Sequence, residues 1–203
     1  PIQISASITS DQGAIDINSG AGFTLDSSVT IGSTGGTITV DTTGATTLTV
    51  SGAIQTGGSG AVSLTAPQNI SLTSGSSITA VNGGITLSAN QGGTPLGGTF
   101  SGIAVSDADI VTNGTGAISL TGRGGDAGDD NNGVFVSNGS VIESTASGAT
   151  VGTITITGTS GGGVRENRGV RLDGSSTLIT SVDGAIQITG TGGAGTGDRN
   201  QGV

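Results

Sequence analysis

A five-residue phrase that opens on glycine and then alternates small or polar with branched apolar residues returns seven times along this 203-residue chain. It reads Gly13-Ala-Ile-Asp-Ile17, Gly36-Thr-Ile-Thr-Val40, Gly60-Ala-Val-Ser-Leu64 and Gly83-Gly-Ile-Thr-Leu87 in the first half. In the second half it becomes Gly116-Ala-Ile-Ser-Leu120, Gly152-Thr-Ile-Thr-Ile156 and Gly184-Ala-Ile-Gln-Ile188. The starts lie 23, 24, 23, 33, 36 and 32 residues apart. Each interval holds a second alternation, such as Phe23-Thr-Leu25, Leu48-Thr-Val50 and Ile70-Ser-Leu72. A third, shorter one follows, as at Val29-Thr-Ile31, Ile54 and Ile78. Alternation with a period of two turns one face of a strand inward at every second residue.

Three short strands in 23 or 24 residues are one turn of a three-sided β-solenoid. A helix would need apolar residues three and four apart, and glycine with β-branched residues at this density opposes it. A sandwich or barrel would need hairpins, and two-residue hairpin signals are not what separates these strands. The expected fold is therefore all-β without helices: a right-handed parallel β-helix of about seven coils. Each strand would pair with its counterpart one coil away at ~4.8 Å, giving a stack of roughly 34 Å. Ladders of Ile, Val and Leu would fill the interior, and Thr and Ser would line the outside.

The whole of 1–203 reads as one solenoid segment. Residues 1–87 are bare coils; from 88 to 203 each coil gains about ten glycine-rich residues between its first and second strand. Examples are Thr121-Gly-Arg-Gly-Gly-Asp-Ala-Gly-Asp-Asp-Asn131 and Thr157-Gly-Thr-Ser-Gly-Gly-Gly-Val-Arg-Glu-Asn167. Insertions at one repeat position stack along one edge of a solenoid. Pro1–Ile4 aligns with a second strand and Val203 begins another. The expectation is open coil ends, as in a segment of a longer rod or a unit that stacks end to end.

Composition narrows the chemistry. There is no His, Cys, Trp, Tyr, Met or Lys, so no imidazole base, thiolate nucleophile or zinc site can be assembled. Five basic residues against 14 acidic ones give a net charge of −9, which disfavours binding to nucleic acid. No apolar run is long enough to span a bilayer, and no basic-then-apolar leader opens the chain, so any export signal is expected outside it. With charged residues at 9% and abundant β-branched residues the chain does not read as disordered, and glycine without a three-residue period does not read as collagen. An enzyme is not expected. Asp107 and Asp109 are a pair by spacing alone, and a polysaccharide-active β-helix, which needs carboxylates in a cleft, is the remote alternative.

Three insertions end on one shared phrase: Asp129-Asp130-Asn131-Asn132-Gly133-Val134, Arg165-Glu166-Asn167-Arg168-Gly169-Val170 and Asp198-Arg199-Asn200-Gln201-Gly202-Val203. Stacked in register, Asn131, Asn167 and Asn200 would form an amide ladder. Asp129, Arg165 and Asp198 would alternate in charge, and Glu166 would neighbour Arg199. These are expected inter-coil ties at the loop base. The alternative is a calcium site from Asp126, Asp129, Asp130 and Asn131, since hard oxygens suit that ion, in a calcium-dependent adhesive solenoid. No other cofactor is expected. Thr-x-Thr pairs at Thr37/Thr39, Thr47/Thr49, Thr153/Thr155 and Thr155/Thr157 raise ice binding as a further alternative, though Ser63, Ser71, Ser119 and Gln187 interrupt the array. Arg171 should lie over Phe135 on adjacent coils.

The recurring Gly-x-Ile-x-Ile-Thr-Gly-x-Gly-Gly phrase, continuing into Asn-x-Gly-Val, resembles the repeat regions of filamentous-haemagglutinin-like exoproteins and giant bacterial cell-surface proteins. The resemblance implies export, a right-handed parallel β-helical fibre, and a role in adhesion, aggregation or an extracellular sheath. The amino-terminal secretion domain of that family is not recognisable here. The expected function is thus a stiff rod or spacer of a bacterial surface fibre or adhesin, outside the cell. Its expected partners are copies of itself or flanking repeats end to end, and cell-surface glycans or matrix at the looped edge.

Overall fold

Every alternation found in the sequence becomes a strand, because each sets its branched apolar residues on one face and its Thr, Ser or Asp on the other. The computed structural model describes residues 1–148 and 150–203. The first coil contains β1 (Ile2–Ile4), β2 (Ile8–Ser10) and β3 (Ile15–Ser19); the second, β4 (Phe23–Leu25), β5 (Thr30–Ser33) and β6 (Ile38–Thr42). The third contains β7 (Thr47–Val50), β8 (Ala53–Thr56) and β9 (Val62–Ala66); the fourth, β10 (Asn69–Leu72), β11 (Ser77–Ala80) and β12 (Ile85–Ala89). The looped coils follow, with β13 (Ile103–Ser106), β14 (Asp109–Thr112) and β15 (Ile118–Arg123), then β16 (Val134–Ser137), β17 (Val141–Ser144) and β18 (Ile154–Thr159). The last contains β19 (Val170–Leu172), β20 (Leu178–Ser181) and β21 (Ile186–Thr191).

Every third strand joins the same sheet, so the chain forms three seven-stranded sheets. All pairings are parallel and in register: Ile15 lies beside Ile38, Ile38 beside Val62, Val62 beside Ile85 and Ile85 beside Ile118. This is a three-sided parallel β-solenoid of seven coils. Columns of identical chemistry fill its interior. Leu48, Ile70, Ile103 and Val134 descend from the first sheet, Ile31, Ile54, Ile78 and Ile110 from the second, and Val40, Leu64, Leu87 and Leu120 from the third, all with no exposed surface. Each such side chain contributes about 1.5–3 kcal/mol by leaving water. In the last coil, packed on one side only, Ile186, which continues the inward column of Ile38, Val62, Ile85, Ile118 and Ile154, is 43% exposed.

The corner before the third sheet explains the glycine that opens each phrase. A Cβ on Gly36, Gly60, Gly83, Gly116, Gly152 or Gly184 would overlap the carbonyl oxygen of the glycine one coil below. Glycine is needed there for close backbone approach. A column of inward hydroxyls faces this corner. Ser33 Oγ accepts from the Gly36 N–H at 2.8 Å and donates to the Gly13 carbonyl at 3.2 Å; Thr56 Oγ1 donates to the Gly60 carbonyl at 2.8 Å. Ser181 Oγ repeats the pattern by accepting from the Gly184 N–H at 2.9 Å. Buried backbone groups at a turn that no sheet can pair are satisfied in this way.

The ten-residue insertions leave the third sheet and return to the first, as the sequence reading has it. The 36-residue coil differs in part. Its connection from β17 to β18 spans residues 145–153, against 113–117 in the coil before, so some of its extra length sits at a second corner.

Candidate functional site

The looped edge is built on a narrow neck. At the last inward position of the third sheet the side chain shrinks along the stack: Ser19 and Thr42, then Ala66 and Ala89, then Gly122, Gly158 and Gly190. A Cβ on Gly122, Gly158 or Gly190 would overlap the carbonyl of Gly133, Gly169 or Gly202, where the same loop comes back. Outgoing and returning chain therefore touch, and everything between them is held outside the sheets.

The asparagines stack over this neck. Asn131 Oδ1 accepts from the Phe100 N–H at 2.9 Å, Asn167 Oδ1 from the Asn131 N–H at 3.0 Å, and Asn200 Oδ1 from the Asn167 N–H at 3.0 Å. Asn131 and Asn167 have no exposed surface. Each amide thus stands in for a strand carbonyl where the loop has left the sheet. Asn132, which the sequence reading assigned no role, adds a second line: its Oδ1 accepts from the Arg168 N–H at 3.3 Å and its Nδ2 donates to the Asp130 carbonyl at 3.1 Å. Backbone rungs then lead back into the first sheet, from Gly102 N–H to the Asn132 carbonyl at 2.9 Å and from Gly133 N–H to the Arg168 carbonyl at 3.0 Å. In the fourth coil Asn90, buried and left-handed, closes the loop by accepting from the Leu96 N–H at 2.6 Å. No other insertion has an asparagine at this point, so repetition could not reveal it.

Outside the amides runs a band of ions. Arg165 Nε bonds Asp129 Oδ2 at 3.0 Å while its N–H donates to Oδ1 at 3.1 Å, and the Asp129 carboxylate holds the guanidinium above its ordinary pKa. Glu166 receives Arg199 at 2.9 Å, with Arg168 at 3.6 Å and Arg171 at 4.0 Å. The Arg199 hydrogen bond and these cations keep its carboxyl below the usual range, against some desolvation. Arg171 lies 4.9 Å from the Phe135 ring centroid and bonds Asp130 and Asp173, each at 2.9 Å. Asp130, Glu166 and Arg199 occupy one position in successive loops, and all three have left-handed backbones, with φ of 60°, 58° and 62°. Such a conformation costs a non-glycine residue about 1 kcal/mol or more, and it is held in place by its surroundings.

The full charge alternation does not form. Asp198 meets its neighbour through its carbonyl, which accepts from the Glu166 N–H at 2.9 Å, and among the described residues no ion pair links it to Arg165. The Arg165 guanidinium turns instead to Asp129. The four candidate calcium ligands also diverge. Asp126 caps the Gly98 N–H at 2.9 Å, Asp129 holds Arg165, Asp130 holds Arg171, and Asn131 points into the amide ladder. Among the described residues no group of three or more acidic side chains is placed to hold a metal ion.

The threonine pairs divide between faces. Thr39, Thr155 and Thr157 lie on the third sheet, in columns shared with Ser63, Ser119, Gln187 and Asp41, while Thr47 and Thr49 belong to the first. Asp107 sits at a left-handed corner, where Ser74 donates to its carboxylate, and Asp109 opens β14 on the surface. No helix among the described residues is long and apolar enough to cross a membrane. In comparisons with family models, curated proteins and solved structures, nothing matches this chain.

Proposed function

We propose that this chain is a stiff structural segment of an extracellular bacterial surface fibre or adhesin, a spacer whose looped edge is the contact surface. The observation that carries the reading is the unbroken register: each of three sheets runs through all seven coils without a change of order or direction. In such an array stability accumulates through nearest-neighbour interfaces, so lengthening the stack preserves its rigidity. The chemistry of the surface agrees. It offers mixed charges on one edge, hydroxyls on the sheet faces, and an acidic excess that opposes lateral collapse until salt screens it.

Single-molecule stretching between handles at the two ends tests the spacer. A spacer holds its length until a distinct unfolding step; smooth extension from the lowest forces counts against it. Electron microscopy of the concentrated protein tests self-association, with end-to-end rods expected and persistent single-chain globules the contrary result.

A further inference from the structure

The chain carries four Asn-Gly pairs, at Asn82, Asn113, Asn132 and Asn138, and the fold treats them differently. The chemistry open to such a pair is intramolecular. The glycine amide nitrogen attacks the asparagine Cγ, a C–N bond forms and the Cγ–Nδ2 bond breaks. Ammonia leaves, carrying the proton that the glycine nitrogen gives up. Water then adds to either carbonyl of the cyclic imide, and ring opening leaves aspartate or isoaspartate. The reaction needs a mobile side-chain amide and a glycine N–H that no acceptor holds.

Three of the pairs are restrained. Asn132 is buried, its Oδ1 fixed by the Arg168 N–H and its Nδ2 by the Asp130 carbonyl. At Asn138 the amide is tied to Ser106 Oγ at 2.8 Å and the attacking N–H, of Gly139, is bonded to Thr177 Oγ1 at 3.2 Å. Asn82 is exposed too, and its Nδ2 and the Gly83 N–H have no acceptor among the described residues. Its Oδ1, however, is held to the next coil by two donors, the Thr115 N–H at 3.2 Å and Thr115 Oγ1 at 3.4 Å, and Gly83 is buried in the close-packed glycine column. Asn113 is exposed, and its side chain has one contact among the described residues, Thr145 Oγ1 on its Oδ1 at 3.2 Å. Its Nδ2 and the Gly114 N–H are both without an acceptor among the described residues.

We propose that Asn113–Gly114 is a site of spontaneous deamidation in the folded protein, and that it reacts ahead of the other three. Its product adds one negative charge to the net −9 and places a carboxylate beside Thr145 Oγ1. The isoaspartyl form also inserts a methylene into the backbone next to the rung from the Asn113 N–H to the Ala80 carbonyl, 3.0 Å long. The β14–β15 corner therefore becomes the slowly ageing seam of the stack.

The test incubates the folded protein at mildly alkaline pH and maps acidic and isoaspartyl products by mass spectrometry. Cleavage after Arg123 separates Asn82 and Asn113 from Asn132 and Asn138. Asn113 should lead the positions that must first open locally, by about tenfold. In denaturant the four rates should converge, and N113Q should remove the early acidic species from the folded protein. Another pair leading in the folded state overturns the proposal. So does an undiminished lead of Asn113 in denaturant, which would assign the rate to neighbouring sequence rather than to the fold.

Discussion

Asn131 gives both its backbone N–H and its side-chain Nδ2 to one oxygen, Asn167 Oδ1, at 3.0 and 3.1 Å. Two successive loops are thereby fastened by a single amide with no exposed surface.

Replacing that amide should therefore loosen a defined region. Asn167→Ala leaves the buried Asn131 N–H without an acceptor, a loss of about 1–3 kcal/mol, while Asn131 Nδ2 keeps the Ala127 carbonyl at 2.8 Å. Nearest-neighbour stacking confines the damage. Hydrogen exchange should speed up in the loops at residues 124–133 and 160–169, while β4 to β9 keep their protection.

The glycine column predicts a sharp contrast between two chemically identical substitutions. Gly116→Ala forces a methyl group onto the Gly83 carbonyl and should cost about 3 kcal/mol, at the upper end for overpacking. Gly20→Ala meets nothing within 4 Å and should stay within about 0.5 kcal/mol of the parent. Denaturant midpoints of the two variants decide the matter, and similar midpoints would mean that the corner gives way.

Acid should weaken two places. Glu166 is held below the ordinary carboxylate range chiefly by the Arg199 hydrogen bond, and Asp26 by hydrogen bonds from Ser5 and then Gln3. A carboxyl with a depressed folded pKa stabilises the fold above its ordinary value. That contribution fades as pH falls below about 4 and through the depressed value. Both groups are half-buried but still reached by solvent, so the effect is small and shrinks in high salt. A melting profile against pH for Glu166→Gln should be flatter on the acid side than the parent's; an identical profile would show the ion band to be energetically idle.

A chelator should leave the melting midpoint unchanged, because Asp126, Asp129 and Asp130 are each engaged by a different protein group. A fall in midpoint on chelation, restored by calcium, would require these ties to rearrange around an ion.

The fold was legible because solenoid register is written in repetition. Ile15, Ile38 and Val62 share a place in the phrase and a column in the structure. The contact of Arg171 with Phe135 followed from the same register. What repetition could not show was what changes between repeats. Asn90 acts in one coil alone, and the added length at 145–153 was hidden inside a total. Asp198 shares the position of Asp129 and Arg165, yet side-chain direction in an irregular loop is set by nearby partners, and Arg165 finds one in Asp129 first. The carboxylates of Asp126, Asp129 and Asp130 are close in sequence, but a loop turning through the left-handed Asp130 sends them apart.

Because Gly122 abuts Gly133 at the mouth of its loop, the chain exits and re-enters through one aperture whatever hangs beyond it. Foreign peptides could be grafted into that opening at successive storeys, displayed side by side at a fixed vertical interval, without disturbing the walls beneath.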